Sequence, residues 1–499
     1  MARRSTGTAS GLIVFWVIAL VLSFLNLSGF LMNDDEGVYL YSAWRVGLGE
    51  VPYRDFSLVQ APLSYYLGAA VFRIFGPSVW AARALAVLFM SGAAFFIFKA
   101  ARRFFKMKTG FALASAGIFL FNKHIFFLGR SFMPDVPMLF FGVASLYFAL
   151  RGEEAAGTAE FRRRAALLVG LMAGLSTLAK INGILVFAGY VSYLVFEGIR
   201  KRKSWNEAVV QAAFAGAGVA LSFGIPFGLL LIFVPGTYDA VFGFHAAKEA
   251  VAGFTYASLV LRRLVQTIGN HNYGLVAGVL AALSLDRGRR ESGAGRSDRD
   301  RAKTALWIFA ATTLALVFVP SRFFLRYVVF AAAPAALLFG VGFEALAKKK
   351  NAGRIGLPIL TILVLLCLGP TLSPKKILAG DEGTRAAASF IRENTEPDDF
   401  VFGDDPFLNF LARRPCPPKL VDVSEAMITA GRITTAEIVE ECEKLAVKLV
   451  FVETGASAHH LVKLKDYSGF RNYLLDRYRP ATAIRREFLN VEFFLRPGD

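Results

Sequence analysis

Cysteine and charged residues are both scarce in this chain of 499 residues. Its 3 cysteines exclude a small secreted fold held together by many disulfides. Charged residues make up 19% of the sequence and hydrophobic residues 55%, whereas a typical soluble protein is about 25% charged. The apolar residues fall in long blocks, with a mean hydropathy of +0.49. This composition excludes both a simple soluble globular protein and a disordered one.

Acidic residues are outnumbered as well, because 56 Lys and Arg stand against 38 Asp and Glu. The resulting net charge of +18 fits either a nucleic-acid or a membrane partner, and the positions of the basic residues decide between them. The 48 Phe in an apolar background favour a membrane. We predict no nucleic-acid partner.

Eleven apolar blocks approach or reach the roughly 20 residues that a membrane helix needs. They cover residues 11–31, 79–98, 109–122, 133–150, 165–179, 184–198, 207–234, 272–285, 304–320, 327–346 and 355–372. The first block is too long for the apolar part of a signal peptide, and no clear small-residue cleavage site follows it. We therefore interpret it as a membrane anchor.

Basic residues are concentrated in every second connection between these blocks. If the N-terminus is cytoplasmic, the inside segments are 1–10, 99–108, 151–164, 199–206, 286–303 and 347–354, and each is basic. Cytoplasmic loops of membrane proteins are enriched in Lys and Arg. The pattern therefore predicts a multi-pass protein of the cell membrane with about eleven membrane helices. A nucleic-acid-binding protein has no reason to place one basic run in each hairpin.

Three larger pieces fall on the predicted outer side: the loops 32–78 and 235–271 and the tail 373–499. In the tail, the runs DDFVFGDD, KLVDV and KLVFVET are typical of short strands, and TRAAASFIREN and TAEIVEECEKLAVK are typical of helices. We therefore predict a mainly α, helical membrane domain over residues 1–372, followed by an extracytoplasmic α/β domain. Cys416 and Cys442 of the tail either pair in an oxidising compartment or stay free and buried, and the sequence leaves both alternatives open.

The acidic candidates lie at the outer ends of apolar blocks. Asp34, Asp35 and Glu36 directly follow the first block, and Asp135 stands between two prolines at the outer end of the block 133–150. Such acids often only face water or cap the next helix, which is the simpler interpretation for Asp34. An ionisable group at membrane depth is nevertheless costly and is usually functional.

Further polar candidates share this predicted outer side. They are Tyr39, Asp55, Arg130, Lys180, His245, Arg322, Arg326 and Tyr327. Carboxylates and cations that meet at one membrane face suit the transfer of a sugar from a lipid phosphate. Cations hold the phosphate as it leaves, and a carboxylate takes a proton from the attacking hydroxyl or amine. A Gly-rich phosphate loop, which nucleotide-sugar chemistry would favour, is absent from the inner side.

The motifs of about the first 350 residues resemble those of the polytopic GT-C glycosyltransferases. The motifs are DDEGVYLYSAWRVGLGEVPYRDFSLVQAPLSYYL, RSFMPDVPMLFF, LAKINGIL and RFFLRYVVFAAAPAALL. More narrowly, the chain resembles the group of the protein O-mannosyltransferases and the lipid A aminoarabinose transferases. This resemblance implies a polyprenyl-phosphate sugar donor and an active site that faces away from the cytoplasm. The tail resembles the exoplasmic domains of the family only loosely.

The resemblance also implies roles for the acidic residues. The family's Asp–Glu pair falls on Asp35 and Glu36, so Asp35 is the expected general base, although Asp34 leaves the register open. The acid before the fourth membrane helix falls on Asp135. Some relatives bind a divalent metal with such acids and others do not. No decisive metal-ligand spacing is present here, so the metal stays undecided.

For the phosphate of the donor, the resemblance implies the lysine and the Arg–Tyr pair of the family. These fall on Lys180 and on Arg326 and Tyr327, with Arg322 close to the pair in the sequence. The remaining candidates for substrate binding are Asp55, Arg130, Tyr39 and His245.

The sequence thus predicts a membrane glycosyltransferase that moves a hexose or pentose from a polyprenyl phosphate to an extracytoplasmic glycolipid, polysaccharide or protein. The alternative is a transporter or flippase for lipid-linked sugars, with a groove in a helical bundle. Transporters usually contain matching repeats and broken helices at mid-membrane, whereas the acids here cluster at one boundary. An oligosaccharyltransferase is disfavoured because the WWD-type signature of that class is absent.

Overall fold

Helices account for most of the chain, and a small sheet lies near its C-terminus. The computed structural model describes residues 3–29, 35–154, 157–244, 253–269, 272–285, 298–314, 329–369, 371–373, 381–455, 458, 460–486 and 489–497. Five of the candidate residues lie outside these ranges, namely Asp34, His245, Arg322, Arg326 and Tyr327.

The part of the chain before residue 373 is helical in each of the eleven apolar blocks, as far as the described residues reach. Its α-helices are Arg3–Phe24 (α1), Glu36–Gly47 (α2), Leu63–Phe75 (α3), Val79–Arg103 (α4), Thr109–Leu120 (α5), Lys123–Leu128 (α6), Asp135–Gly152 (α7), Ala159–Ala179 (α8), Ile184–Ile199 (α9), Trp205–Val219 (α10), Ile225–Phe233 (α11), Gly253–Gly269 (α12), Tyr273–Leu285 (α13), Asp298–Leu314 (α14), Val329–Lys348 (α15) and Lys350–Leu368 (α16). A π-helical turn, Ala220–Gly224, joins α10 to α11.

Within the described ranges, four helical stretches are long and apolar enough to cross a membrane. They are Val79–Arg103, Ile181–Ile199, Trp205–Phe233 and Ala331–Lys348. Shorter apolar helices include parts of α1, α5, α13 and α16. These lengths and compositions agree with a membrane protein, and the number of crossings and their orientation remain predictions. We call the end of the bundle that carries Asp35, Asp135 and Lys180 the outer end.

Small residues allow α8 and α10 to approach each other closely. A Cβ atom at Gly170 would overlap the carbonyl oxygen of Ala215, and one at Gly218 would lie 2.5 Å from the carbonyl oxygen of Leu167. One turn further, the Ser222 hydroxyl donates a hydrogen bond to the Leu171 carbonyl at 2.9 Å. Such close backbone contact is a common way to associate helices in a membrane, where lipid removes the hydrophobic drive between them.

The C-terminal region, as we call residues 381–497, packs helices on a four-stranded sheet. Its α-helices are Glu382–Glu393 (α17), Pro406–Ala412 (α18), Glu425–Thr429 (α19), Thr435–Lys444 (α20) and Tyr467–Arg477 (α21), and its strands are Val401–Gly403 (β1), Leu449–Thr454 (β2), Arg479–Arg486 (β3) and Leu489–Leu495 (β4). The strand order is β1-β2-β4-β3, with β1 parallel to β2 and the other neighbours antiparallel. A capping box begins α20, because Thr434 and Glu437 bond each other's backbone N–H.

Most of the expected elements of this region are confirmed. The runs DDFVFGDD and KLVFVET contain β1 and β2, and the two expected helices are α17 and α20. The expected strand KLVDV is wrong, because Pro418–Leu420 forms a 3-10 turn instead. Proline has no N–H to offer a sheet, and the Pro418 carbonyl accepts a hydrogen bond from Ser57 of the first loop. The cysteines, Cys367, Cys416 and Cys442, are free and buried.

The contact between α8 and α10 generates a stability prediction. We expect Gly170→Ala to lower the free energy of unfolding by about 1–3 kcal/mol, since the added methyl group must push two helix backbones apart. Thermal unfolding of the purified protein in detergent measures this. Gly216→Ala is the matched control, because it makes the same change in α10 where a Cβ meets nothing within 4 Å. Equal melting temperatures for the two variants would contradict the close packing.

Candidate active site

A buried ion pair lies at the centre of the outer end. The Arg83 guanidinium on α4 donates to the carboxylate of Glu36, the first residue of α2, at 2.8 Å from Nε and 2.6 Å from Nη2. The same carboxylate accepts the backbone N–H of Phe132 at 2.7 Å. Arg83 also donates to the Leu27 carbonyl, just after α1, at 2.8 Å. One ion pair therefore joins α1, α2, α4 and the segment before α7.

Asp35 is the N-cap residue of α2, but its carboxylate accepts no capping hydrogen bond from that helix. Its side chain is half-buried and lies close enough to Tyr65 to act on it electrostatically. Burial raises the pKa of Tyr65 well above its usual range, with smaller contributions from Tyr39, Tyr53 and the nearby carboxylates. Buried tyrosines therefore lie near the N-terminus of α2. Among them, the rings of Tyr39 and Tyr65 have centroids 6.1 Å apart.

Asp135 and Lys180 form a second buried ion pair. Lys180 Nζ donates to both carboxylate oxygens of Asp135, at 2.8 and 2.9 Å, and the two side chains are 7% and 0% exposed. Asp135 is the first residue of α7, and Lys180 is the extended C-cap residue of α8. Glycine is required at position 183, because a Cβ there would overlap the backbone of Ser176. The structure therefore brings together two residues that lie 45 positions apart.

Arg130 has hydrogen-bond donors that no described residue uses. Its Nη2 donates to the Leu25 carbonyl, and its guanidinium lies 5.2 Å from the ring centroid of Phe126. Its Nε and Nη1 are buried without a hydrogen-bond partner among the described residues. Burial and, secondarily, Arg83 lower the pKa of Arg130 to about 10, so the side chain remains a cation at neutral pH. Unlike Arg83 and Lys180, Arg130 forms no ion pair with a carboxylate of the described residues.

An apolar cavity of about 250 Å³ opens between α6, α13 and α15. Its walls include Leu275, Val276, Val279, Leu280, Ala331, Ala332 and Ala335. Three polar residues, Asn122, His124 and Asn272, also line it, and the side-chain amide of Asn122 donates a hydrogen bond to the side chain of Asn272. Val329 also lines the cavity and directly follows the segment that carries Arg326 and Tyr327, which lies outside the described residues.

Asp55 is not joined to these groups by any described hydrogen bond or ion pair. Its carboxylate is held at 2.8 Å by Arg54 and at 2.7 Å by the Val51 N–H, and these two contacts lower its pKa. Asp55 thus stabilises the turn in which it lies. Among the described residues, no group of three or more His, Cys, Asp and Glu side chains is arranged to hold a metal ion.

Arg83 is the residue that sequence reasoning missed at this site. A signal was present, since an arginine inside an apolar block is costly and is usually paired or functional. For the C-terminal residues that approach Asp35, above all Asp422, no local signal exists. Asp422 lies in the run that was expected to form a strand.

Comparison with known protein families gives a match over part of the chain. The family model described as dolichyl-phosphate-mannose-protein mannosyltransferase matches residues 59–228. The matched range contains Arg83, Arg130, Asp135 and Lys180 but not Asp35. No curated protein sequence matches the chain.

Solved structures match over nearly the whole chain. ArnT from Cupriavidus metallidurans bound to undecaprenyl phosphate superposes with a TM-score of 0.70 at 17% identity, over 97% of this chain and 98% of ArnT. The archaeal oligosaccharyltransferase AglB from Archaeoglobus fulgidus, in complex with an inhibitory peptide and a dolichol-phosphate, gives 0.53 at 14% identity, over 88% and 69%. The chain therefore has the GT-C fold, and the resemblance that its motifs indicate is confirmed.

The buried pair of Glu36 and Arg83 generates a prediction. We expect Glu36→Gln to destabilise the protein by about 3 kcal/mol, since it leaves a buried guanidinium without its counter-charge, and Glu36→Gln with Arg83→Met to recover part of this loss. Thermal unfolding in detergent measures both. The control is Glu160→Gln, which breaks an exposed pair with Arg164 and should cost less than about 1 kcal/mol. Equal losses for Glu36→Gln and Glu160→Gln would show that the pair does not hold the site together.

Proposed function

We propose that the chain is a membrane glycosyltransferase that moves one sugar from a polyprenyl phosphate to an acceptor at its outer end. The fold supports this, since the matching structures include ArnT bound to undecaprenyl phosphate and AglB in complex with a dolichol-phosphate. The observation that carries the proposal is the buried Arg130, with two unused donors beside the pair of Glu36 and Arg83. A buried cation of this kind calls for an anionic ligand.

Asp35 is the proposed general base. It is half-buried at the N-terminus of α2, and the carboxylate of the next residue, Glu36, accepts hydrogen bonds from Arg83 and from the Phe132 N–H. Glu36 therefore positions Asp35 rather than taking a proton itself. As the bond between the sugar C1 and the phosphate oxygen breaks, the acceptor oxygen or nitrogen bonds C1 and its proton passes to Asp35. A single displacement of this kind inverts the configuration at C1.

The donor phosphate is proposed to bind Arg130. A guanidinium presents paired N–H groups that match phosphate oxygens, and Arg130 lies two residues before Phe132, whose N–H bonds Glu36 beside Asp35. Lys180 is held by Asp135, so we assign this pair to shaping the phosphate side of the site. Arg322, Arg326 and Tyr327 remain predicted phosphate ligands, and His245 and Tyr39 remain predicted substrate contacts. On the sequence expectation, the acceptor is a glycolipid, a polysaccharide or a protein.

The isoprenoid tail is proposed to enter the apolar cavity between α6, α13 and α15. The lining is apolar along α13 and α15, and its polar residues, Asn122, His124 and Asn272, form one group. Such a distribution suits a lipid whose headgroup lies at the membrane surface and whose tail lies at depth.

The proposed base is tested by Asp35→Asn. We expect transfer to fall by at least about 100-fold, since general-base catalysis contributes roughly that much or more. The donor is first identified by mass spectrometry of the polyprenyl-phosphate sugar that co-purifies with the protein, and transfer is then measured in proteoliposomes. Asp476→Asn, which makes the same change at an exposed position of α21, is the control and should retain activity. Full activity in a well-folded Asp35→Asn variant would exclude Asp35 as the base.

The phosphate ligand is tested by binding of undecaprenyl phosphate to Arg130→Gln. We expect the affinity to fall by about tenfold or more, since the variant lacks the charge that pairs with the phosphate. The measurement is ligand-induced thermal stabilisation, with undecaprenol as the ligand that lacks a phosphate. Arg54→Gln, at an exposed position, is the control, and Arg130→Lys should bind with intermediate affinity. Wild-type affinity in Arg130→Gln would contradict the assignment.

A further inference from the structure

The C-terminal region contacts the first outer loop through residues that shortly precede Asp422 in the sequence. The Ser57 N–H donates to the Pro418 carbonyl at 2.9 Å, and the Ser57 hydroxyl donates to the Lys419 carbonyl at 3.1 Å. Nearby, the Cys416 N–H donates to the Tyr41 hydroxyl at 2.7 Å. These bonds hold the segment that carries Asp422 against the loop that carries Asp35.

The contact at the N-terminus of α2 leaves no space. A Cβ atom at Gly37 would lie 2.5 Å from Asp405 Oδ1 and 2.7 Å from the Phe407 backbone nitrogen. On the other side of the interface, the ring of Phe410 stacks on Phe72 with centroids 5.6 Å apart, and the Arg413 guanidinium lies 4.3 Å from the Phe410 centroid. The position of the C-terminal region relative to Asp35 is thus set by close packing.

Asp422 itself is a buried carboxylate, 6% exposed. Its Oδ1 accepts the Ser424 N–H at 3.1 Å, and it forms no ion pair with a lysine or arginine of the described chain. Burial raises the pKa of Asp422, and the carboxylate of Asp35 raises it further. The hydrogen bonds from Ser424 and the charge of His460 lower this pKa and so oppose the rise.

The bonds from Ser57 to Pro418 and Lys419 bring the segment of Asp422 to the loop that carries Asp35. The close contact of Gly37 with Asp405 fixes the N-terminus of α2 against the same region, and across this interface the charge of Asp35 acts on Asp422.

His460, which acts electrostatically on Asp422, in turn contacts Asp404. His460 Nδ1 lies 3.1 Å from the Asp404 carbonyl oxygen, which can only accept, so Nδ1 carries the hydrogen. The Asp404 carboxylate accepts the N–H groups of Glu453 and Leu461 at 2.7 and 2.8 Å. Burial nevertheless raises the pKa of Asp404 to about 6.

We propose that Asp422 is a positioning residue for Asp35, a second carboxylate that the C-terminal region brings to the site to strengthen the base. The inference rests on the proposed function. Like charges oppose each other's ionisation, so the negative charge of Asp422 favours the form of Asp35 that has taken the acceptor's proton. His460 favours the ionised form of Asp422. The bonds made and broken are those of the displacement at C1, and the leaving polyprenyl phosphate departs as the anion.

The activity test is the pH dependence of transfer by Asp422→Asn. We expect the acidic limb of kcat to move to lower pH by about one unit, since removing the neighbouring charge lets Asp35 lose its proton more easily. The kcat plateau should fall about threefold or more because a weaker base remains, and KM for the donor should change less than twofold. Asp422→Glu, which keeps the charge, should leave the limb near its wild-type position.

The matched control is Asp239→Asn. Asp239 also bonds the C-terminal region, through Arg432 with one contact of 3.0 Å, but it is exposed and belongs to another segment. We expect it to leave the acidic limb unchanged. A loss of kcat in Asp422→Asn without movement of the limb would indicate a merely structural role and would overturn the inference.

A second measurement needs no substrate. Because the pKa of Asp422 is raised in the folded protein, this carboxyl holds its proton more tightly when folded, and the free energy of unfolding falls as pH rises from about 4. Asp422→Asn should remove the part of this pH-dependent decrease in unfolding free energy that Asp422 causes. Asp35→Asn should make that part smaller. In the double variant the two effects should be less than additive, because both single variants remove the same interaction between the carboxylates, whereas additive effects would overturn the inference. The other titratable and charged groups near the pair are Asp404, His460, Glu36 with Arg83, and Tyr39, Tyr53 and Tyr65, and every variant contains all of them.

The two measurements separate the two proposals. Coupling between Asp35 and Asp422 in a protein that transfers no sugar from its co-purified polyprenyl phosphate would overturn the proposed function and leave the carboxylate pair standing. Transfer by a protein in which the two carboxylates are uncoupled would overturn the pair and leave the function standing.

Discussion

The buried contact between Glu36 and Arg83 is the constraint on which the outer end of this protein depends. Removing either charge from water costs several kcal/mol, which only close pairing and further hydrogen bonds offset. Here the carboxylate also accepts the Phe132 N–H, and the guanidinium also donates to Leu27. The pair is therefore satisfied in one arrangement of four chain segments. Asp35 precedes Glu36 directly, so its position follows from that arrangement.

Charge balance distinguishes the cations at this end. Arg83 and Lys180 each have a buried carboxylate at hydrogen-bond distance, whereas two donors of Arg130 have no partner in the described chain. A buried guanidinium left in this state is destabilising by itself. Such a cost is typical of a site that is completed by its ligand, and a phosphate has the charge and geometry to complete this one.

The C-terminal region is part of the same packing unit as the first outer loop. Aromatic contacts from Phe410 to Trp44 and Phe72 join the two, and the Gly37 contact allows no gap between them. The regions on the two sides of the predicted boundary at residue 373 therefore pack directly against each other. Under the proposed function, chemistry at Asp35 depends on side chains from both sides of that boundary.

The sequence alone determined the helical membrane part, because long apolar runs and basic loops are local properties that reflect the surrounding solvent. It also pointed to Asp35, Asp135 and Lys180, since these stand in recognisable motifs. Only the tertiary structure decided that Asp135 binds Lys180 and that Arg83 neutralises Glu36, because partners 45 and 47 residues apart are chosen by packing. The same holds for the segment KLVDV. Its composition favours a strand, but its Lys419 carbonyl accepts a hydrogen bond from the Ser57 hydroxyl, 362 residues away in the sequence. This contact holds the segment of Asp422 against the loop that carries Asp35.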